Sequence, residues 1–218
     1  VATHQVDPIK LIIDQKARQF AGTHVIGTTI SGSIAKGTNI NLSSDIDLFV
    51  SISNSMTYSV EWVYESMFNA LKASYPTAVK RNVAIGVTIN GFNIDVVPAK
   101  VQKGYTDYHW LYSTRRRGNI QTNVDKHIDI VKKSGRINEI KLTKIWASIH
   151  KLDFPSFYLE LATIEALQYK NNSLSNNFIS VLKYLSEDFP RRRYIDPSNA
   201  GNIISDTLTE NEKNLISQ

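Results

Sequence analysis

The sequence predicts an α+β fold, in which a mixed β-sheet with helices is followed by a C-terminal helical bundle. Two patterns indicate this fold. Up to Pro98, apolar strand segments alternate with amphipathic helices, and Asn90-Gly91 joins two such strands in the manner of a tight hairpin turn. Beyond about Thr122, apolar residues recur at three- and four-residue spacing and no strand pattern is found. We therefore expect a first domain over 1–120, a helical domain over 121–218, and a first helix that extends along both.

The elements of the first domain follow in chain order from their caps and periodicity. Asp7 and Pro8 are typical of a helix start, and apolar residues recur after them at helical spacing up to Phe20. The remaining segments are predicted to be a strand at His24–Ile30, a strand at Ile46–Ile52, an amphipathic helix from Val60 to Leu71 and a hairpin over 83–97.

The second domain is predicted to contain four helices. They cover 122–134, 137–151, 156–170 and 174–188, and they are separated by Gly135, Pro155 and Asn171-Asn172. Glycine, proline and asparagine commonly end helices, so the breaks and the periodicity agree.

Composition narrows the class of protein. The 218 residues are 42% hydrophobic and 21% charged, as in ordinary globular proteins, and no apolar run approaches the length of a membrane span. The formal net charge of +5 favours polyanionic partners such as nucleotides or nucleic acid, although mild basicity also occurs for solubility alone. The absence of cysteine excludes disulfides and thiolate metal sites. We expect a cytoplasmic protein with no membrane partner.

Asp45 and Asp47 are two like charges at the start of an apolar strand. Residues two apart in a strand project from the same face, so these carboxylates repel each other unless a cation lies between them. Hard carboxylate oxygens suit magnesium. The alternative is a simple turn at Ser43-Ser44-Asp45, in which the acids only end a loop.

A third acid, Asp95, lies on the return strand of the predicted hairpin between Ile94 and Val96. If that strand neighbours Ile46–Ile52, three carboxylates converge and can hold two metal ions for displacement at phosphorus. The alternative is an edge-strand residue that faces water.

Gly32-Ser33 follows the first predicted strand, and Gly37-Thr38 follows five residues later. Glycine lets the backbone approach a phosphate closely, and exposed N–H groups with the serine hydroxyl can hold its oxygens. The Walker A motif is excluded, because Thr38 stands where that motif requires lysine. A plain turn is the alternative interpretation.

The ordered set of Gly32-Ser33, Gly37-Thr38, Asp45-Ile-Asp47 and the later Asp95 resembles the nucleotidyltransferase superfamily of DNA polymerase beta type. The stretches "KLTKIWASIHKLDFPSFYLELATIEAL" and "IDPSNAGNIISD" resemble the helical half of oligoadenylate-synthetase and cyclic-GMP-AMP-synthase-like enzymes. Among these, the chain is most similar to the bacterial CD-NTases, which make cyclic oligonucleotide signals in anti-phage defence. Archaeal CCA-adding enzymes share much of the arrangement, including a stretch like "QTNVDKHI".

The resemblance implies a metal-dependent nucleotidyltransferase fold and a set of site residues. Asp45 and Asp47 would ligate two Mg²⁺ ions (Mn²⁺ is an alternative), and Asp95 would ligate one and help to activate a ribose hydroxyl. The other implied residues all bind the nucleoside triphosphate: Gly32 and Ser33 at the β- and γ-phosphates, Lys144 at the triphosphate, Ser156 near it, Phe157 or Tyr158 on the base, and Thr122 and His127 as further phosphate contacts.

Three residues of the helical half have simpler interpretations. Lys144 can be a solvent-facing helix lysine, Phe157 a core aromatic, and His127 a histidine with its hydrogen bonds satisfied locally. Four functions follow for the chain: cyclic oligonucleotide synthesis, template-independent addition to an RNA or tRNA 3′ end, a catalytically silent RNA-binding module, and transfer to a small acceptor. The sequence leaves open the bases used, the product linkage, an RNA ligand and the oligomeric state.

Overall fold

The structure is a computed structural model that describes residues 3–40 and 45–218, with side chains from residue 6 onward. The predicted turn at Ser43-Ser44 lies outside the described residues. The chain divides into two compact units. The first comprises the described residues up to Ala35 and from Asp45 to Asp125, and the second comprises the segment that begins at Lys36 together with Lys126–Gln218.

The first unit contains helices and one mixed sheet. The helices are α1 (Thr3–Ala21), α2 (Gly32–Lys36, whose last residue belongs to the second unit) and α3 (Val60–Lys72). The strands are β1 (Val25–Ile30), β2 (Ile46–Ile52), β3 (Val79–Lys80), β4 (Ile85–Ile89), β5 (Phe92–Val101), β6 (His109–Ser113) and β7 (Gly118–Thr122).

The strand order within this sheet is β1-β2-β5-β4-β3, and β6 pairs with both β5 and β7. β2 and β5 run parallel, whereas β1 with β2 and β4 with β5 run antiparallel. Both central strands are rich in buried apolar residues, as expected for strands that are covered on each side. The α+β fold class is confirmed, and β5 is an interior strand, so the edge-strand interpretation of Asp95 is wrong.

The hairpin between β4 and β5 turns at Asn90 and Gly91, which have φ angles of 52° and 80°. Both values lie in the left-handed region, which a two-residue hairpin of this hand requires at both positions and which asparagine and glycine tolerate best. The hairpin prediction is confirmed, and its two strands pair from Ile85↔Val96 to Ile89↔Phe92.

The second unit is helical. Its elements are α4 (Val124–Lys133, which begins just before the unit boundary), α5 (Ile137–Ile149), α6 (Ser156–Ala166), α7 (Leu174–Glu187), a hairpin of β8 (Ile195–Asp196) and β9 (Asn199–Ile203), and α8 (Glu210–Ile216). The four predicted helices are confirmed within a few residues. An aromatic cluster that includes Phe154, Tyr158, Phe189 and Tyr194 forms the centre of this unit's apolar core.

Two predictions of local structure are wrong, and one hairpin was not predicted. α1 begins at Thr3 rather than at Asp7, so Pro8 lies inside the helix. The β6–β7 hairpin was not predicted, and the β8–β9 hairpin contradicts the expectation of no strand beyond Thr122. β9 reads Asn-Ala-Gly-Asn-Ile, which has little β propensity, and its pairing with the short β8 determines its conformation.

Among the helices of the described residues, none is long and apolar enough to cross a membrane.

Candidate active site

The acidic residues of the first unit meet where β2 runs beside β5. Asp47 and Asp95 are register partners on these parallel strands. Asp45 lies two residues before Asp47, directly ahead of β2. Register partners on adjacent strands share a face, and so do residues two apart in one strand. The predicted neighbourhood of the two strands is therefore observed, and it places three acids on one face of the sheet.

A guanidinium group lies between two of these acids. Arg81 Nη1 donates to Asp95 Oδ2 at 2.7 Å and lies 3.8 Å from Asp45 Oδ2. Burial raises the pKa of Asp95, Arg81 opposes that rise, and the nearby charge of Asp45 adds to it, so the pKa stays above its ordinary value. When both are ionised, Asp45 and Asp95 carry two negative charges, and the half-exposed Arg81 balances only one of them.

Asp95 also has an oxygen whose hydrogen-bonding capacity is unused. Its Oδ1 is buried, and no donor from the described residues reaches it. A buried carboxylate oxygen without a donor is costly, and such atoms commonly accept a bond from an ion or from water. This oxygen is thus a suitable ligand for a hard cation.

Gly32 makes room for Asp47. A Cβ atom added at Gly32 would lie 1.8 Å from Asp47 Oδ2, and the φ angle of 58° at this glycine is one that other residues rarely adopt. The backbone N–H of the preceding Ser31 donates to the carbonyl oxygen of Asp47 at 2.8 Å. The Gly32-Ser33 turn is therefore packed directly against the second acid.

The carboxylates are chemically suited to bind magnesium, but their side chains are not grouped around one position. Within residues 3–40 and 45–218, no three histidine or acidic side chains are grouped so that they could hold one metal. The Arg81 guanidinium is bonded to one oxygen of Asp95 where a competing cation would bind. Carboxylate oxygens are the ligands that magnesium prefers, so the residues present suit the ion that the sequence resemblance implies.

The second unit contains a buried ionic cluster centred on Glu160, which has no exposed surface. Its Oε2 accepts from Lys36 Nζ at 2.8 Å, and its Oε1 accepts from Lys144 Nζ at 2.7 Å and from Thr38 Oγ1 at 2.6 Å. Burial alone would raise the pKa of Glu160, but the two ammonium groups hold it below its ordinary value. Lys144 is thus buried rather than solvent-facing.

His127 and Phe157 belong to a neighbouring cluster of the same unit. His127 Nε2 lies 2.7 Å from Asp196 Oδ1 and 2.9 Å from Ser198 Oγ, which connects α4 to the β8–β9 hairpin. The Phe157 ring packs against the His127 ring at 4.5 Å between centroids, and Lys36 Nζ lies 4.3 Å from the Phe157 centroid. The Phe157 ring therefore contacts His127 and Lys36 at the same time.

The remaining predicted residues lie at element boundaries. Thr122 is buried at the end of β7, Ser33 is partly buried in α2, and Ser156 is the exposed first residue of α6. Sequence reasoning missed Arg81 and Glu160. Glu160 was detectable as a lone charge within the apolar run "FYLELATI", whereas the position of Arg81 depends on strand pairing that the sequence does not display.

No protein-family model matches the chain. A cyclic AMP-AMP-AMP synthase of Escherichia coli strain MS 115-1 is 26% identical over an alignment of 155 residues, and the match covers 64% of this chain and 48% of that protein. The chain thus spans about half the length of this curated relative.

Solved structures extend the likeness to nearly the whole chain. CdnC of E. coli MS115-1 with ATP superposes with a TM-score of 0.76 at 21% identity, covering 98% of this chain and 80% of that one. The CD-NTase CdnG of Bradyrhizobium diazoefficiens in complex with GTP gives 0.75 at 11% identity, covering 98% and 82%. The chain has the CD-NTase fold. The resemblance found in the sequence is therefore confirmed at the level of the fold, including the helical half.

The CD-NTase fold is shared with the CdnE cyclic dinucleotide synthase of Elizabethkingia meningoseptica, solved with GTP and Apcpp. That structure superposes with a TM-score of 0.72 at 16% identity and covers 97% of this chain and 89% of the other.

Proposed function

We propose that this chain is a nucleotidyltransferase that joins nucleoside triphosphates into a cyclic oligonucleotide. The observation that supports this proposal most directly is the alignment of Asp47 with Asp95 on adjacent parallel strands, with Gly32 packed against Asp47. Similarity to a cyclic AMP-AMP-AMP synthase and to CD-NTases solved with ATP or GTP supports nucleoside triphosphates as substrates. The resemblance of the sequence to the bacterial CD-NTases implies that the product would be a signal in anti-phage defence.

In the proposed reaction, a ribose hydroxyl oxygen forms a bond to the α-phosphorus of a triphosphate, the bond from that phosphorus to the β-bridging oxygen breaks, and pyrophosphate leaves. Asp95 would help to activate the hydroxyl by taking its proton, directly or through water, as the sequence resemblance implies. Asp45, Asp47 and Asp95 would hold the divalent cations, which when bound neutralise the triphosphate and stabilise the departing pyrophosphate. Gly32 and Ser33 would contact the β- and γ-phosphates through backbone N–H groups and the serine hydroxyl.

The nucleotide contacts of the helical unit are part of the same proposal. Phe157 would stack on a base, and Lys144, Ser156 and His127 would contact phosphates. Thr122, at the end of β7 in the first unit, would be a further phosphate contact. The ammonium of Lys144 already has Glu160 and Thr38 as direct partners. It can therefore favour phosphate binding only through the positive electrostatic potential that it produces together with Lys36. We therefore expect its effect on binding to be smaller than that of the acids.

The test is the product spectrum from the four nucleoside triphosphates with Mg²⁺, measured by mass spectrometry. Wild-type protein should form a phosphatase-resistant cyclic product without added RNA, and Asp95→Asn should lower its rate by about 10³-fold or more. Asp14→Asn is the matched control, since the Asp14 and Asp95 side chains are 22% and 17% exposed and each accepts from one arginine, at 2.6 and 2.7 Å. The control should retain wild-type activity.

Four results would contradict the proposal in different ways. Nucleotides that are added only to supplied tRNA would indicate 3′-end addition. A nucleotide transferred to a small acceptor would indicate a small-acceptor nucleotidyltransferase. RNA binding without any turnover in Mg²⁺ or Mn²⁺ would indicate a silent binding module. A folded Asp95→Asn variant with substantial activity would show that the third acid is misassigned.

A further inference from the structure

The side chain of Arg81 lies over a position in the sheet that has no side chain of its own. Along one row of register partners, Asp47 of β2 is followed by Asp95 of β5 and Gly86 of β4. A Cβ atom added at Gly86 would lie 2.7 Å from Arg81 Nε and 3.1 Å from its Cζ and Nη2. The glycine therefore leaves the space through which the guanidinium reaches the acids.

The backbone of Arg81 is held independently of this ion pair. Its carbonyl oxygen accepts from the Tyr64 hydroxyl at 2.8 Å and from Thr114 Oγ1 at 3.1 Å, and its N–H donates to the carbonyl oxygen of Ala84 at 2.9 Å. These bonds fix the start of the arginine side chain on the β3–β4 connection. The guanidinium itself remains half-exposed, at 48%, so it can leave the acids without leaving a buried cavity.

We propose that Arg81 is a built-in counterion that competes with divalent cations for Asp95 and Asp45. It supplies positive charge to these two carboxylates while no metal is bound, and a metal that binds them displaces the guanidinium toward solvent. Arg81 is thus a positioning residue that sets how tightly the acids bind a cation. This inference depends on the proposed function only in that the acids bind a divalent ion.

The competition predicts tighter metal binding when Arg81 is removed. In nucleotide-free protein, Arg81→Gln should bind Mn²⁺ about fivefold to tenfold more tightly than wild type, as measured from the loss of the free Mn²⁺ signal in electron paramagnetic resonance. The gain should disappear in the double variant Arg81→Gln/Asp95→Asn, because the shared ligand is gone. Added Mn²⁺ should also raise the unfolding temperature of Arg81→Gln more than that of wild type.

Gly86→Ala tests the same competition without any change in net charge. The added methyl group would displace the Arg81 guanidinium from its position, and the φ angle at Gly86 is not in the left-handed region, so alanine is compatible with the strand. We expect Mn²⁺ affinity to increase in this variant as well, by a smaller factor than in Arg81→Gln. This variant also provides the test if Arg81→Gln does not fold.

Arg18→Gln is the matched control for charge. Arg18 and Arg81 are 46% and 48% exposed, and each has its nearest aspartate oxygen at 2.6 or 2.7 Å, with Asp45 at 3.8 Å as a second partner of Arg81. Its Mn²⁺ affinity should equal that of wild type. The proposal is overturned if Arg81→Gln binds Mn²⁺ no more tightly than wild type, if Arg18→Gln gains as much, or if no variant binds Mn²⁺. Because nucleotide is absent, a wild-type protein without transferase activity would leave these metal-binding results unaffected.

Discussion

Asp95 of the sheet unit and Glu160 of the helical unit are both acids among apolar neighbours, and their surroundings differ in one decisive respect. Both oxygens of Glu160 have donors, from two ammonium groups and one hydroxyl. Asp95 has one donor, Arg81, and its buried Oδ1 has none in the described part of the chain. The pKa is accordingly lowered in Glu160 and raised in Asp95.

This difference distinguishes Glu160, whose hydrogen bonds stabilise the fold, from Asp95, whose buried oxygen can still accept a bond from a ligand. A buried charge whose hydrogen bonds are complete contributes through its partners, and it has no remaining capacity for a ligand. A carboxylate with an unused oxygen and a displaceable counterion lowers the stability of the folded protein. Binding of a cation to that carboxylate raises the stability again. Three substitutions test this comparison.

The largest effect is expected for Glu160→Gln. The substitution leaves Lys36 and Lys144 buried without an anion, which should lower the free energy of unfolding by about 3–5 kcal/mol. Chemical denaturation followed by circular dichroism measures this loss. Glu187→Gln is the control, since Glu187 forms an exposed pair with Lys183 and should change stability by less than about 0.5 kcal/mol. Equal effects of the two substitutions would show that the buried cluster is not structural.

A smaller effect, which disappears in acid, is expected for Asp196. Burial would raise its pKa, but hydrogen bonds from His127, Asn202 and the N–H of Ser198 hold it at about 2, below the ordinary 3.8. A lowered pKa stabilises the fold above the ordinary value, and that contribution is lost as the pH falls toward 2.

Urea denaturation of wild type and Asp196→Asn between pH 5 and pH 2 checks this. The variant should be less stable near pH 5, and the difference between the two proteins should shrink as the pH falls. Asp129→Asn, at an exposed position of α4, serves as the reference substitution. A difference that stays constant with pH would contradict the lowered pKa.

The smallest effect on stability is expected for Asp95→Asn in metal-free protein. A raised pKa contributes stability below the ordinary value and loses that contribution as the pH rises, so ionised Asp95 costs stability at neutral pH. A neutral asparagine should leave the free energy of unfolding within about 1 kcal/mol of wild type, or increase it slightly. Urea denaturation at pH 7 with a chelator measures this. A loss as large as that of Glu160→Gln would make Asp95 a structural acid.

The sequence allowed most of the fold to be predicted, because the relevant signals are local. Strand β2 and the turn at Asn90-Gly91 follow from side-chain periodicity and backbone preference within a few residues. The three acids were also identifiable, since a charge within an apolar strand is rare enough to suggest a role. The short β8–β9 hairpin was missed because it depends on tertiary contacts rather than on its own composition.

The partners of the charged residues could not be predicted in the same way. Arg81 reaches Asp95 only because β4 pairs with β5 in a register that places Gly86 beside that acid. Lys144 was assigned from the resemblance of the sequence to a family of enzymes, yet its ammonium is bonded to Glu160 on another helix. Such pairings depend on how distant segments pack, and no short stretch of sequence encodes them.

The parallel pairing of β2 with β5 also bears on the order of folding. The β4–β5 hairpin needs only a two-residue turn. β2 can pair with β5 only when the long segment between them, which contains α3 and β4, closes into a loop. Contacts that close longer loops form more slowly, because more chain entropy is lost before any pairing is gained. Asp47 and Asp95 should therefore come together late in folding. A nascent chain would form its helices and the β4–β5 hairpin before the carboxylates proposed to bind cations lie side by side.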